Sequence, residues 1–437
     1  MVTTLQRESE GSVHQKSALP KADIALAGSL FDLLRDATAD GEGVTRESYG
    51  PGENAAHAIV REAAESAGLE TAVDAAGNLY MTLPGLDRSA PRILIGSHLD
   101  SVRCGGNFDG AAGVLAGLSA IAGLAQNNHE PPQDITVMGI RAEESMWFSA
   151  NYIGSRAALG LLSSEEIAGV RRTDSGRTIA EHMQDCGLDP DAVIAEPPYL
   201  RPNSLAAYYE VHIEQGPVLE ERAIPVGVVT DIRGNFRCRE ARCIGEYGHC
   251  GTVPRSLRRD AVAAVSELVS RTDDLWDELE NQGQDLAVTF GVVATDVTHS
   301  AASKVAGEAR FTVDVRSKSP VTLSAVRKRL DVFIADIEQR RGVQFWLGPC
   351  SETPPAAMDE RLRARLMEAA AGLDVAVLEM PSGAGHDALV FAGLGVPAAM
   401  LFIRNAHGSH NPHEAMAMDD FSQAASVLTA SLVSNVK

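Results

Sequence analysis

Two short apolar runs, Ile93-Leu94-Ile95 and Ile135 to Ile140, each end abruptly in a loop that carries ionisable side chains. Runs of this length read as strands covered on both faces, the central strands of an α/β sheet. A third strand, Ala206 to Ile213, follows the same layout and carries His212 just before Glu214-Gln215-Gly216-Pro217. Strands alternating with helical patterns at this spacing predict an α/β fold with a largely parallel central sheet. Loops beyond the carboxyl ends of such strands are where the scaffold presents chemistry. Here they hold His98, Asp109 and the pair Glu143-Glu144.

At 437 residues the chain exceeds one typical core, so two domains are expected. Residues 1–22 are polar and aperiodic, which predicts disorder. A helix over Ile24 to Thr38 follows from the stripe Ala27, Leu30, Phe31 and Leu34, and a second is expected from Ala55 to Ser66. Thr71–Val73 and Leu79–Leu83 bracket Ala75-Ala76-Gly77-Asn78, a hairpin-like signal. After Leu219 the character changes. Pro225 to Thr230, Asn235 to Ile244, Leu286 to Ala294 and Ala309 to Val315 read as strands, with helices over Arg255 to Thr272 and Thr322 to Arg340. Residues 219–336 are therefore expected to form an inserted α+β lid, interrupting a catalytic domain made of 23–218 and 337–437.

A net charge of −21 argues against nucleic acid and against an anionic membrane surface as partners. The weakly polar run from Gly110 to Ala125 is shorter than a membrane span and rich in small residues, so it reads as a buried helix. No apolar h-region occupies the first twenty residues, and a cytoplasmic location is expected. The six cysteines (Cys104, Cys186, Cys238, Cys243, Cys250 and Cys350) form no CxxC pair and fit no zinc spacing, so free thiols are expected.

Taken singly, the polar residues have ordinary readings. His98-Leu99-Asp100 alone reads as a surface histidine beside a capping aspartate, and Asp109 at a helix start reads as an N-cap. Glu143-Glu144 could be an acidic helix start. His212 lies on a polar strand stripe, and spacing does not choose among His407, His410 and His413. Taken together in this order, two carboxylates and three imidazoles suit a pair of borderline divalent ions, zinc or manganese. Asp100 would orient the second nitrogen of His98. Beside such ions the adjacent glutamates gain distinct tasks: Glu144 binds metal and Glu143 takes a proton from an activated water.

The stretches GSHLDS, GGNFDG, the Glu pair, HIEQGPVLE, GHCGTVP, LRRDA, GAGHDA and SHNPHE together resemble one branch of the dinuclear metallopeptidase/aminoacylase superfamily. This is the amidase branch of hydantoinase/carbamoylase type: N-carbamoyl-L-amino-acid hydrolases, allantoate amidohydrolases and β-ureidopropionases. The resemblance spans about residue 25 to 430. It implies one ion on His98 and His212, another on Glu144 and His410, Asp109 bridging them, and Glu143 as base. It implies a homodimer whose inserted domain also dimerises, with His249 stabilising the oxyanion from the partner subunit. Gln215, Arg316, Asn235 and Ser303 match positions that hold the substrate. Two divalent ions per subunit are implied, zinc or manganese, with cobalt or nickel as alternatives.

The chain departs from that pattern at several points. Ser303 stands where relatives carry a substrate-binding Asn. Arg103-Cys104 replaces Pro-Asn, Ser145-Met146-Trp147 replaces Gly-Ser-Arg, and Cys250 and Arg255 replace Ala and Met. These changes are expected to line the pocket. The expected function is hydrolysis of a linear amide or ureido C–N bond in an N-carbamoyl or N-acyl amino-acid-like small molecule bearing a carboxylate. The rivals are an aminoacylase or dipeptidase with the same centre, and a non-catalytic relative.

Overall fold

The computed structural model describes residues 21–433, so most of the segment expected to be disordered lies outside the described residues. Eight strands run in the order Ala356–Ala357, Val226–Ile232, Ala398–Ile403, Leu205–Ile213, Arg92–His98, Ile135–Ile140, Leu79–Leu83 and Glu70–Val73, and Val377–Ser382 adds a ninth beside Val226–Ile232. The four middle strands, from Ala398–Ile403 to Ile135–Ile140, are mutually parallel. Their outer neighbours Val226–Ile232 and Leu79–Leu83 pair antiparallel, so the sheet is mixed rather than mainly parallel. The short hairpin at Ala75–Asn78 sets Glu70–Val73 antiparallel to Leu79–Leu83 at one edge of the sheet.

A second, six-stranded antiparallel sheet is built around Gly234–Ile244 and Glu308–Ser317. The sequence division at 219 and 336 is corrected by the pairing. Val226–Ile232 is a buried apolar run belonging to the large sheet, while Gln344–Trp346 and Cys350–Thr353 both pair with Gly234–Ile244. The chain therefore changes sheets at 232–234 and again at 353–356. Cys350 falls directly opposite Cys238, with Cα atoms 4.4 Å apart, and the two are disulfide-bonded. That corrects the expectation of six free thiols; Cys104, Cys186, Cys243 and Cys250 are free.

Helix Ala111–Gln126 is buried along its length from Ala111 to Leu124, consistent with its uniform small and apolar sequence. It packs on Arg92–His98 and Leu205–Ile213, and helix Met418–Val433 lies against it. Its small residues set the approach. A Cβ at Gly113 would sit 1.9 Å from the Val211 carbonyl oxygen. At the helix start Gly110 has φ +64°, and a Cβ there would strike the His98 ring at 2.4 Å. These glycines fix the two strands that deliver His98 and His212.

Candidate metal centre

The parallel strands Arg92–His98, Ile135–Ile140 and Leu205–Ile213 all end at the same edge of the sheet. His98 closes the first and His212 lies near the end of the third. The second runs into Arg141, Ala142, Glu143 and Glu144. Ala142 has φ +51°, a left-handed conformation that costs a non-glycine residue about 1–2 kcal/mol. Buried Glu53 holds it there, accepting from Ala142 N (2.8 Å), Tyr49 N (2.6 Å) and the Arg141 guanidinium (2.7 Å). Asp100 fixes the next step by accepting from the amides of Glu143 and Glu144, each at 3.1 Å, and from Ser48 Oγ at 2.6 Å.

Two triads result, His98/Asp109/His212 and Asp109/Glu144/His410, and they share Asp109. Its Oδ1 lies 3.4 Å from His212 Nε2 and its Oδ2 lies 3.2 Å from His410 Nε2. The cap of the following helix is Gly110, so the carboxylate of Asp109 is not used as an N-cap. Glu144 Oε1, 3.3 Å from His410 Nε2, is buried without a hydrogen-bond partner among the described residues. His410 alone of the three competing histidines joins the cluster. His407 and His413 belong to neither triad.

The imidazole orientations test whether cations fit. His98 Nδ1 faces the Asp100 carbonyl oxygen at 3.0 Å, and His212 Nδ1 faces that of Ile213 at 3.0 Å. A carbonyl only accepts, so each Nδ1 carries its hydrogen. The two Nε2 atoms then face each other across 3.4 Å, an arrangement that requires a positive charge, proton or metal ion, between them. Two nitrogens at zinc-ligand distance, tetrahedrally disposed, lie about 3.3 Å apart. The donors fit divalent metal.

The electrostatics point the same way. Burial favours a neutral His98, but Asp100, Glu143 and Asp109 outweigh it and raise its pKa well above the ordinary value. His410 is pushed up to about 11 by Asp109 and Glu144. Burial lowers His212 to about 4. Burial also raises Glu143 well above the carboxylate range, with Glu144, Asp387 and Asp100 adding and His98 opposing. So many acids in one dry place call for cations.

The remaining predicted residues divide. Gln215 and Arg316 line the cleft of about 180 Å³ over the triads, as does Glu143, whose Oε2 is 4.0 Å from His98 Nε2. Gln215 Nε2 donates to Asp109 Oδ1 at 3.0 Å. Arg316, matched to a substrate-holding position, already uses its fork on Asp314, with Nε and Nη2 each 3.0 Å from its oxygens, and Nη1 donates to Gly383 O. Asn235 sits opposite Arg316 in the small sheet. His249 and Ser303 are both exposed, on neighbouring segments joined by Cys250 N donating to Ser303 O, and neither lines the cleft of its own chain. Of the substituted positions expected to line the pocket, only Ser145 does; the Trp147 indole is buried and donates to Ser101 O. Sequence reasoning missed Arg237, Tyr152 and His386, all of which line the cleft.

The chain belongs to the peptidase family M20/M25/M40, whose model matches residues 94–434. It is 32% identical over 396 residues to the N-carbamoyl-L-amino-acid amidohydrolase of Paenarthrobacter aurescens, covering 90% of this chain and 93% of that one. It is also 32% identical over 406 residues to the allantoate amidohydrolase of Bacillus subtilis, covering 91% and 94%. The crystal structure of a hydantoinase/carbamoylase family amidase from Burkholderia multivorans matches with a TM-score of 0.85 at 29% identity, over 95% of this chain and 98% of that one.

Proposed function

We propose that this chain is a metal-dependent hydrolase of a linear amide or ureido C–N bond outside peptides, acting on an N-carbamoyl or N-acyl amino-acid-like substrate with a carboxylate. The observation that carries the reading is the sharing of Asp109 between two donor triads, one of which sets two imidazole Nε2 atoms face to face. The likeness to N-carbamoyl-amino-acid and allantoate amidohydrolases supports the bond type.

His98 and His212 would hold one ion, Glu144 and His410 the other, with Asp109 between them. Zinc or manganese suits these donors, and so do cobalt and nickel. When bound, the ions polarise the scissile carbonyl and acidify a water. Glu143 stands outside both triads yet lines the cleft, so it is free to take the water's proton and pass it to the leaving nitrogen. Asp100 keeps His98 oriented and pins the amides of the glutamate pair. Gln215, Arg316, Asn235 and Ser303 are assigned to the substrate's polar groups.

His249 is assigned to the oxyanion, delivered by the partner subunit of a homodimer. Its exposure, on the unit joined to the large sheet at only two crossings, supports delivery from outside the chain's own cleft. The active unit is thus a dimer closed over a small molecule, and its location is cytoplasmic. No described helix is long and apolar enough to cross a membrane.

Glu143→Gln tests the assignment of the base. The variant should keep both metals, measured by elemental analysis, and lose about 10²–10⁴-fold in kcat. Ammonia released together with amino acid marks ureido cleavage. Amine without ammonia marks the aminoacylase alternative. Retained activity in Glu143→Gln would remove Glu143 from the mechanism.

A further inference from the structure

We propose that Glu414 is a positioning residue for one of the two ion sites, tying the bridging Asp109 to the loop that carries His410. This deepens the function proposed above and rests on it for the pair of ions.

The need for a tie follows from how unevenly the five donors are held. The side chains of His98, His212, Asp109 and Glu144 are at most 7% exposed, whereas that of His410 is 50% exposed. His98 and His212 also belong to strands, and each sets Nδ1 on a backbone carbonyl. His410 has neither support. The strand before it ends at Ile403, and its own backbone is left-handed, with φ +61°. Asp109 is on a loop too, ahead of a helix that it does not cap.

Glu414 joins these two loops across 305 residues of sequence. Its buried carboxylate accepts from Phe108 N at 2.9 Å and from Asp109 N at 3.1 Å, both through Oε1. Its Oε2 lies 2.8 Å from Ser409 Oγ, and that hydroxyl lies 2.8 Å from Asp109 Oδ2. Glu414 thus holds the backbone of Asp109 directly, and its carboxylate through the residue beside His410. Room for this contact exists because residue 106 is glycine. A Cβ there would fall 2.1 Å from the carboxylate carbon of Glu414.

The tie is one-sided. Asp109 Oδ1, the oxygen nearer His212, takes the shorter of two bonds from Gln215 Nε2, at 3.0 Å. Oδ2, nearer His410, has the Ser409 hydroxyl that Glu414 also holds. The loop after His98 is braced without Glu414: Arg46 Nε donates to Leu99 O at 2.7 Å and Nη1 to Asn107 Oδ1 at 3.1 Å. Loss of the Glu414 carboxylate therefore loosens the His410 side of the centre and spares the His98–His212 side. Amides bonded to a carboxylate are held more firmly than by a neutral acceptor. Removing a group that orients metal ligands costs about 10–100-fold in affinity.

The experiment titrates metal-free protein with cobalt(II), read by calorimetry and visible absorption, in the parent, Glu414→Ala and Glu414→Gln. His212→Ala and His410→Ala identify which binding step belongs to which triad. In Glu414→Ala the step lost in His410→Ala should weaken about 10–100-fold, and the other should change by less than about threefold. Gln keeps an oxygen for the two amides, so Glu414→Gln should return the weakened step to within about threefold of the parent. Parent-like affinity at both steps in Glu414→Ala, equal weakening of both, or a Gln variant no better than Ala overturns the inference. A parent that binds fewer than two ions overturns it together with the metal pair. If the two steps divide as expected yet no N-carbamoyl or N-acyl compound is hydrolysed, the proposed function fails and this assignment stands.

Discussion

The two sheets of this molecule contribute to the cleft in different states of completion. At the carboxyl edge of the large sheet the surroundings of His98 and Glu144 are braced: Asp100 pins the loop of the glutamate pair, Glu53 holds Ala142 in a left-handed turn, and Gly110 lets the helix start touch the His98 ring. The small sheet offers Arg237 and Arg316 to the same cleft through Asp314, but leaves His249 and Ser303 exposed. The difference teaches where each task can be prepared in advance. Holding ions requires donors fixed to fractions of an ångström, and a buried edge of parallel strands supplies that rigidity. In the function proposed above, His249 and Ser303 close over the substrate from outside, a task suited to the unit that the chain enters and leaves by single crossings.

The largest expected effect breaks the large-sheet half. Asp109→Asn removes the one charged group common to both triads, so metal content should fall below one ion per chain and hydrolysis should be undetectable. Two retained ions would separate the triads into independent sites and end the bridging assignment.

The small-sheet half is sharpened by mixing. His249→Ala should lower kcat by about 10²–10³-fold, the usual loss for an oxyanion donor. Mixed and re-dimerised with Glu143→Gln, it should recover activity, because each mixed dimer pairs an intact base with an intact His249 from the partner. No recovery after verified subunit exchange would make His249 act within its own chain, or not at all.

A smaller effect lies beneath the metal centre. Asp387 is fully buried and accepts from Ser155 Oγ at 2.5 Å, while its other oxygen has no partner among the described residues. Burial raises its pKa from 3.8 to about 6. The folded chain therefore binds this proton more tightly than the unfolded one. The stabilisation is full below about pH 4 and is lost as the pH rises through about 6. In metal-free protein, Asp387→Asn should raise stability relative to the parent by on the order of 2–3 kcal/mol at pH 7 and by little at pH 4, read from denaturant midpoints. An equal effect at both pH values would show that the carboxyl does not titrate in this window.

The legibility of these features in the sequence follows the same division. The helix Ile24–Thr38 was readable because it buries one stripe at helical spacing, and the strand Ile135–Ile140 because a short unbroken apolar run is buried on both faces. His98, Asp109, Glu144 and His212 stood out as candidates because each lies at a strand end or in the loop just after one, whereas spacing left His407, His410 and His413 open and only the family resemblance singled out His410. The change of sheets was not readable. A buried run such as Val226–Ile232 looks the same in either sheet, and Gln344–Trp346 is too short to carry a period. Arg237 escaped because an arginine on an alternating strand reads as solvent-facing; its place two residues after Asn235, on the strand facing Arg316, was the available signal. The Cys238–Cys350 pairing depends on register across 112 residues, which spacing cannot reveal.

Anomalous X-ray scattering from crystals loaded with zinc or manganese tests the central claim most directly. Two peaks about 3.5–4 Å apart are predicted, one against His98 and His212, the other against Glu144 and His410, with Asp109 reaching both. A single peak, or two peaks that do not share Asp109, would contradict it.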